Sequence, residues 1–339
     1  MALLSKREEL ETAWRALAGY QSEEGWSTIP VGTLSPCRLL AGRHFPGNEE
    51  ALLVGFRSVR TPPMEQLPKG LGFLVSKVEI GADGAGYSWI ALCRQQAGNT
   101  DFFALMADDV VVTLEKQRIN DDIRLFNVFI SRIKAWQDFM RRGGEELLSP
   151  EAEVGLFGEL AFMHELLKSG LPVDVVVNSW QGPMGATHDF SIGSGAIEVK
   201  STVSPHGFPA KIGSLEQLDD SLIFPLFLAA IRLAINPLGK TLPILVHETR
   251  VMLEAEPIAL IGLDSRLLHA GYFDAFAERH TRCFLKTGLR LLPVTDGFPR
   301  LTRANVAIEI RNARYELDLD LISSEDVGLI DSLKRLGVI

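Results

Sequence analysis

The spacing of apolar residues changes several times along the 339-residue chain, and each change marks a different kind of element. Leu10, Trp14 and Leu17 recur at helical spacing, which predicts a first helix over residues 5–20. Short apolar runs then follow, separated by turns rich in Pro, Gly and Asn, a pattern typical of a mostly antiparallel sheet. The predicted strands of this part cover residues 37–41, 51–56, 71–78, 88–92 and 102–106.

Helical periodicity returns in the middle of the chain. Apolar positions predict a helix over residues 121–142, and a pair of glycines ends it. Ser149-Pro150 then begins another helix, because serine caps free N–H groups and proline suits the first helical position. We therefore place a domain boundary between Arg142 and Ser149, with a β-rich N-terminal domain over residues 1–148 that ends in a long helix.

Helices and strands alternate after Ser149, which predicts an α/β domain over residues 149–322, followed by a C-terminal helix within residues 323–339. Val173 opens a short apolar run that is read as a strand. The remaining expected elements are a glycine-turn hairpin over 189–200, a strand near 222–230, helices around 241–254 and 257–270, and strands near 288–294 and 314–319.

The charge of the chain limits its partners. The sequence has 34 Lys and Arg against 43 Asp and Glu, a formal net charge of −9, and it has no run of basic residues. The charge therefore disfavours nonspecific nucleic-acid binding through bulk electrostatics, and any such contact has to come from a local patch.

Cysteine content and hydropathy indicate the compartment. Three scattered cysteines argue against a disulfide framework and against a cysteine-based metal site. The N-terminus is charged too early for a secretory signal, and no apolar run reaches the ~18 residues of a membrane span. We expect a cytoplasmic protein with no membrane contact.

The hairpin carries the residues with the clearest chemistry. Successive side chains of a strand point to opposite faces, so Ile197 and Val199 share one face while Glu198 and Lys200 share the other. Asp189 begins the partner strand, and a three-residue loop at 193–195 would bring it beside Lys200. Two acids and one base therefore converge at one end of the hairpin.

This set of groups suits metal-assisted phosphodiester hydrolysis. Mg²⁺ takes hard oxygen ligands and keeps several waters, so two carboxylates suffice to hold it. The ion polarises the phosphate and activates water, while a lysine stabilises developing charge. Glu159 on the preceding helix is a further acid, and Gly155 and Gly158 indicate that this helix approaches the sheet or a ligand closely. The alternative interpretation is that Glu198 and Lys200 form an ordinary solvated face.

These residues resemble the active-site core of the PD-(D/E)XK nuclease superfamily. The resemblance extends to a bacterial branch whose members are similar to proteins encoded beside restriction–modification and phage-defence genes. It covers most of residues 149–320 and rests on six ordered blocks: Glu153-x-Gly155-Leu156-x-Gly158-Glu159-Leu160, Trp180-x-Gly182-Pro183, His188-Asp189-Phe190, Ile197 to Thr202, Leu215 to Leu218, and Phe298 to Thr302.

The resemblance implies a restriction-endonuclease-like core with a mixed central sheet flanked by helices. It also implies that Asp189 and Glu198 are metal ligands for Mg²⁺ or Mn²⁺, that Lys200 is the catalytic lysine, and that Glu159 completes the metal site. Gln217 would be the polar residue of the next helix. His188 stands where the superfamily motif has proline, and we interpret it as structural rather than as a phosphate contact.

Two pairs of arginines are candidate phosphate contacts, because a guanidinium binds phosphate as a bidentate fork. Arg141 and Arg142 are better explained as charges that complement the C-terminus of a helix. Arg300 and Arg303 fit DNA contacts and a solvated loop equally well.

The sequence predicts a metal-dependent DNA endonuclease in a restriction or phage-defence setting. DNA is the expected partner, and other subunits of a defence system and a second copy of the chain are further candidates. The alternative is a nuclease-fold subunit that binds or scaffolds and does not cut DNA by itself. The acidic charge of the chain favours this alternative. A small-molecule binding protein is a third reading.

Overall fold

The computed structural model describes residues 5–19, 24–33, 37–70, 72–81, 86–117, 121–141, 148–221 and 223–339. The chain divides into two compact units, residues 1–146 and 147–339. The predicted boundary, between Arg142 and Ser149, falls mainly on residues outside the described ranges. No helix in the described ranges is long and apolar enough to cross a membrane.

The first unit combines an antiparallel sheet with helices. Its five strands lie in the order β1-β2-β3-β5-β4, with every neighbouring pair antiparallel. The elements are α1 (Lys6–Ala18), β1 (Gly25–Thr33), β2 (Arg38–Phe45), β3 (Glu49–Phe56), β4 (Phe73–Val78), β5 (Ser88–Arg94), α2 (Thr100–Lys116) and α3 (Asp122–Arg141).

The predicted strand over residues 102–106 is wrong, because this segment is the start of helix α2. The side chain of Asn99 accepts a hydrogen bond from the Phe102 N–H and so caps the helix. Apolar side chains then continue at helical spacing beyond the short window that suggested a strand. The buried ones are Phe103, Ala104, Met106, Ala107, Val110, Val111 and Leu114.

The second unit is built on a mixed sheet, as the sequence predicts. Its strands lie in the order β10-β9-β7-β6, with β7 and β9 parallel and the outer pairs antiparallel. The elements are α4 (Pro150–Lys168), α5 (Val173–Ser179), β6 (Phe190–Ile192), β7 (Gly195–Thr202), β8 (Pro209–Ile212), β9 (Leu226–Lys240), α6 (Leu242–Met252), α7 (Pro257–His269), β10 (Phe284–Pro293), β11 (Tyr315–Asp318) and α8 (Leu329–Arg335).

Two apolar clusters cover the two faces of this sheet. One contains Ile197 and Phe227 together with side chains of α4 to α8. The other contains Ala196 and Leu228 together with side chains of β8, which pairs with β11 as a small separate sheet. The mixed sheet therefore has helices on one face and a second sheet on the other.

The predicted strand at Val173 is also wrong, because residues 173–179 form helix α5. β-branched residues favour strands, but Pro172 begins this segment, and Val176 and Val177 turn into the helical core while Val175 stays exposed. Packing against neighbouring helices overrides the weak strand preference of valine.

The hairpin connection is shorter than predicted. Ile192 pairs with Gly195, which leaves a two-residue turn at Gly193 and Ser194 rather than a three-residue loop. Gly193 has φ +60°, a value that favours glycine. Because the register follows from the turn length, the strand position opposite Asp189 becomes Glu198, where the longer loop would have placed Val199.

Candidate active site

Strand β7 presents Glu198 and Lys200 on the same side. The Lys200 ammonium lies 2.8 Å from Glu198 Oε1, and both side chains line a cavity of about 680 Å³. Ile197 and Val199 point the other way, into the helical core. The alternation of charged and apolar residues in the sequence therefore located this pair correctly.

Glu198 lies almost fully out of solvent, with 1% of its surface exposed. Its Oε1 contacts Lys200, whereas Oε2 has no hydrogen-bond partner among the described residues. Burial, aided by the Asp189 carboxylate, raises the pKa of Glu198 to about 8 even though Lys200 opposes the shift. A buried carboxylate with an unused oxygen is costly, so a cation or proton at this oxygen would stabilise the site.

Asp189 is held at the start of β6 from several directions. Its Oδ2 accepts a 2.8 Å hydrogen bond from the Val199 N–H, and its carbonyl accepts bonds from the N–H groups of Gln181 and Gly182 at 2.8 and 3.0 Å. A Cβ at Gly182 would lie 2.6 Å from Asp189 Oδ1, so this position requires glycine. Burial raises the pKa of the Asp189 carboxyl, and the Val199 N–H and Lys200 oppose that rise.

Glu159 approaches the site from helix α4. The Trp180 indole N–H donates to Glu159 Oε2 at 2.6 Å, and Glu159 lines the same cavity as Asp189 and Glu198. Burial and the Asp189 charge raise the pKa of Glu159 well above its usual range. The three acids therefore share one electrostatic environment in which their full ionisation is disfavoured.

Gly155 and Gly158 of α4 differ in what a side chain at their positions would contact. A Cβ at Gly158 would overlap the Ser201 hydroxyl and lie 2.7 Å from the Ser201 Cβ, so α4 and β7 touch directly at this point. A Cβ at Gly155 would meet nothing within 4 Å, because Gly155 borders the cavity. The predicted close approach of the helix thus occurs at Gly158 and not at Gly155.

The donor set suits a hard cation that keeps part of its water shell. No group of three or more His, Cys, Asp and Glu side chains within the described ranges forms a ready cage for a metal ion. Mg²⁺, however, is usually held by one or two carboxylates together with substrate phosphates and water. Asp189 and Glu198, with the unpartnered Glu198 Oε2, fit that requirement.

The predicted supporting residues lie in different places. Gln217 borders the cavity, but it lies in a loop after β8 and not on a helix; its Oε1 accepts a 2.7 Å bond from the Gly213 N–H. His188 is 7% exposed and its Nε2 has no partner among the described residues. Burial lowers the pKa of His188, so the ring is neutral near pH 7.

The predicted DNA-contacting arginines lie outside the cavity lining. Arg300 is 9% exposed along its side chain, pairs with Asp220 at 2.9 Å and donates to the Leu218 carbonyl at 2.8 Å. Arg303 is half-exposed and pairs with Glu216 at 2.9 Å. Both guanidiniums therefore already have protein partners.

Of the Arg141-Arg142 pair, Arg141 is exposed and lies 3.5 Å from Asp138 on its own helix. Arg142 lies outside the described residues.

Sequence reasoning missed two cations at the cavity. Lys211, on β8, is exposed there, and Arg282 lines the wall while pairing with Glu153 and donating to the Pro150 carbonyl at 2.6 Å. Neither residue belongs to the motif blocks, and β8 itself was not predicted. The alternating pattern of residues 209–212 was the available signal, because its apolar residues face the core.

Comparison with protein families gives one match, over residues 10–320, to the family described as "Putative PD-(D/E)XK family member, (DUF4420)". A search of curated proteins and a search of solved structures each gave no match. The matched region includes most of both compact units, so the N-terminal sheet is part of what defines the family. Asp189, Glu198 and Lys200, which the sequence predicts to be the acid, acid and lysine of the motif, line one cavity of the second unit. The chain belongs to this PD-(D/E)XK family.

Proposed function

We propose that the protein is a metal-dependent endonuclease that hydrolyses phosphodiester bonds of DNA. The observation that carries the proposal is the convergence of Asp189, Glu198 and Lys200 in one cavity, with an unpartnered oxygen on a buried Glu198. Family membership supports a nuclease-like fold. The cavity, about 680 Å³, has room for a phosphodiester group with its flanking sugars.

Asp189 and Glu198 would hold a Mg²⁺ or Mn²⁺ ion, and Glu159 would support them from α4. The ion, when bound, polarises the phosphate and lowers the pKa of water. Glu198 would have to lose a proton to act as a ligand, because its pKa of about 8 keeps it largely protonated at neutral pH. The Trp180 N–H orients Glu159, and the Val199 N–H orients Asp189.

Lys200 would supply positive charge where negative charge develops on the phosphate. Its ammonium is 2.8 Å from Glu198, and its side chain is 16% exposed. In a site of low dielectric this fixed charge is worth more than in water. Lys200 therefore both offsets the charge of Glu198 and stabilises the transition state.

The restriction or phage-defence setting is proposed from the resemblance of the motif blocks to proteins encoded beside such genes. DNA is the proposed substrate, and the other subunits of such a system and a second copy of the chain are the proposed protein partners.

A second candidate function is that of a nuclease-fold subunit without activity of its own. The charge of the cavity favours it, because five acids line the wall against three cations, Lys200, Lys211 and Arg282. A chain with this balance would need a partner subunit or bound cations before DNA could approach.

The test is cleavage of circular and linear DNA with and without Mg²⁺ or Mn²⁺, comparing wild type with Asp189→Asn and Lys200→Gln. Asp174→Asn and Lys334→Gln are matched controls, since both side chains are exposed in the same unit. Metal-dependent cleavage that only the site variants lose supports the nuclease. Metal binding that depends on Asp189, without cleavage, supports the second candidate. If the wild-type protein shows neither metal binding nor DNA cleavage, both candidate functions are overturned.

A further inference from the structure

The sheet of the first unit has two faces of different character. On one face Phe56 packs against Phe126 and Phe129 of α3, with ring centroids 5.7 and 6.2 Å apart. On the other face Leu53 and Trp89 form a separate apolar cluster. Several members of that second face are only partly buried: Trp26, Leu40, Val78, Ile80, Tyr87 and Cys93.

Two arginines stand on this second face and share one aromatic ring. The Arg38 guanidinium lies 4.8 Å from the centroid of Tyr87, and the Arg57 guanidinium lies 5.3 Å from the same centroid. Arg57 Nε also donates to the Tyr87 hydroxyl at 3.0 Å. The register explains the convergence, because Gly55 lies opposite both Arg38 and Trp89, and its lack of a side chain lets the Trp89 indole lie over it.

The backbone beneath this group is fixed as well. Asp122, the first residue of α3, is buried, and its Oδ2 accepts hydrogen bonds from the N–H groups of Arg57 and Ser58 at 2.5 and 2.8 Å. Both guanidiniums are exposed, and neither has a carboxylate partner in the described part of the chain. The structure therefore holds two guanidiniums in place while their outer N–H groups stay free.

We propose that the Arg38–Tyr87–Arg57 group binds the phosphates of a nucleic-acid strand. That this strand is DNA rests on the proposed function. Guanidinium forks bind phosphate in a bidentate manner, and stacking on an aromatic ring orients them beforehand. A strand carries a phosphate every ~3.4 Å along its axis, so two guanidiniums on one ring can reach neighbouring phosphates.

The other end of the same face offers a complementary surface. The rings of Trp26 and His44 lie in contact there, tilted by 60° with centroids 4.8 Å apart, and His44 shares the face of Arg38 because the two lie six residues apart on β2. A nucleic-acid strand that lies along β2 would contact the two arginines first and the rings of Trp26 and His44 afterwards. That combination is typical of surfaces that bind nucleic acid without reading sequence.

The Arg38–Tyr87–Arg57 group would also explain how a chain with a net negative charge binds DNA. With a net charge of −9, the whole chain repels DNA at long range, so binding depends on a local cluster of free cations. The first unit supplies such a cluster, whereas the cavity of the second unit has five acids against three cations in its lining. The family match over residues 10–320 is consistent with a binding role for the N-terminal sheet.

The test measures binding rather than cleavage, on the full chain in EDTA. Fluorescence anisotropy with a labelled double-stranded oligonucleotide, and with one of its strands, compares wild type with Arg38→Gln and Arg57→Gln. Arg141→Gln is the matched control, since Arg141 is also exposed and lies at the far end of α3, about 30 Å from Asp122 at 1.5 Å per residue. Thermal melts confirm that each variant folds.

Each site variant is expected to weaken binding severalfold to about tenfold and to reduce the salt slope by about one, while Arg141→Gln changes neither. Unchanged affinity and slope in Arg38→Gln and Arg57→Gln would overturn the proposal. Absence of cleavage with Arg-dependent binding would count against the proposed function alone.

Discussion

Lys200 forms its ion pair with Glu198, its neighbour two residues earlier on the same strand, at 2.8 Å. The lysine thereby places a positive charge next to the carboxylate that we propose as a ligand of the divalent cation. Since the second oxygen of Glu198 has no partner in the described residues, the lysine satisfies only half of this acid. Charge balance at the site therefore depends on Lys200 and on a proton or cation.

Replacing Lys200 by methionine should lower metal-dependent DNA cleavage by about 10²–10³-fold, because the fixed charge near the phosphate is lost. Stability at pH 6 should change little, since Glu198 has a pKa of about 8 and keeps its proton there. Cleavage rates and thermal melts measure the two effects. Lys334→Met, at an exposed lysine of α8, should behave as wild type, and a Lys200→Met variant of normal rate would refute the role of the ammonium.

The buried acids predict a particular pH dependence of stability in EDTA. Burial raises the pKa of Glu198 from its ordinary value of 4.5 to about 8, so the folded state binds the proton more tightly than the unfolded state. The free energy of unfolding should therefore fall as pH rises from 4.5 to 8, with a slope of up to about 1.4 kcal/mol per pH unit for this group.

Urea unfolding at a series of pH values measures this slope. Glu198→Gln should flatten the profile, because glutamine does not titrate, and the slope that remains should come from Glu159 and Asp189, whose pKa values are also raised. An identical slope in wild type and Glu198→Gln would contradict the prediction.

Two alanine substitutions one helical turn apart should have opposite effects. Gly158→Ala forces α4 away from Ser201 and should cost about 1–3 kcal/mol of unfolding free energy. Gly155→Ala adds its methyl group to open space and should stabilise α4 by up to about 1 kcal/mol. Chemical denaturation of both variants measures the difference. Ser201→Gly combined with Gly158→Ala should recover part of the loss, and a failure to recover would place the strain elsewhere.

The hydrogen bond from Trp180 to Glu159 should be detectable by a double-mutant cycle. Trp180→Phe removes the donor at 2.6 Å and should cost about 1–3 kcal/mol, because the buried carboxylate oxygen loses its partner. In a Glu159→Leu background the same change should cost less, since the acceptor of the indole N–H is then already absent. Equal costs in the two backgrounds, measured by urea unfolding, would show that only packing of the indole matters.

The sequence predicts those parts of the site that depend on local periodicity. Alternation along β7 places Glu198 and Lys200 together, and the glycine turn brings Asp189 to the same end of the hairpin. The contact of Trp180 with Glu159 joins residues 21 apart on different elements, so no local spacing predicts it. The arginine pair on Tyr87 likewise depends on the register of three strands.

The errors in secondary structure have a related origin. The valines of α5 and the aromatic residues at the start of α2 have side chains that favour strands, and both segments become helices because of their caps and packing. The turn of the hairpin is one residue shorter than predicted, which moves the strand position opposite Asp189 from Val199 to Glu198.

The direct contact of α4 with β7 at Gly158 has a consequence for how this protein can vary. Because only the small side chain of Ser201 lies between the two elements there, the interval between Glu159 and the acids of the hairpin is set by the close packing of α4 on β7. Residues on the outer wall, such as Lys211 on β8, can be exchanged without altering that interval. Residues of the cavity wall, and with them the preference for a substrate, can therefore change among homologues while the spacing of the acids stays constant.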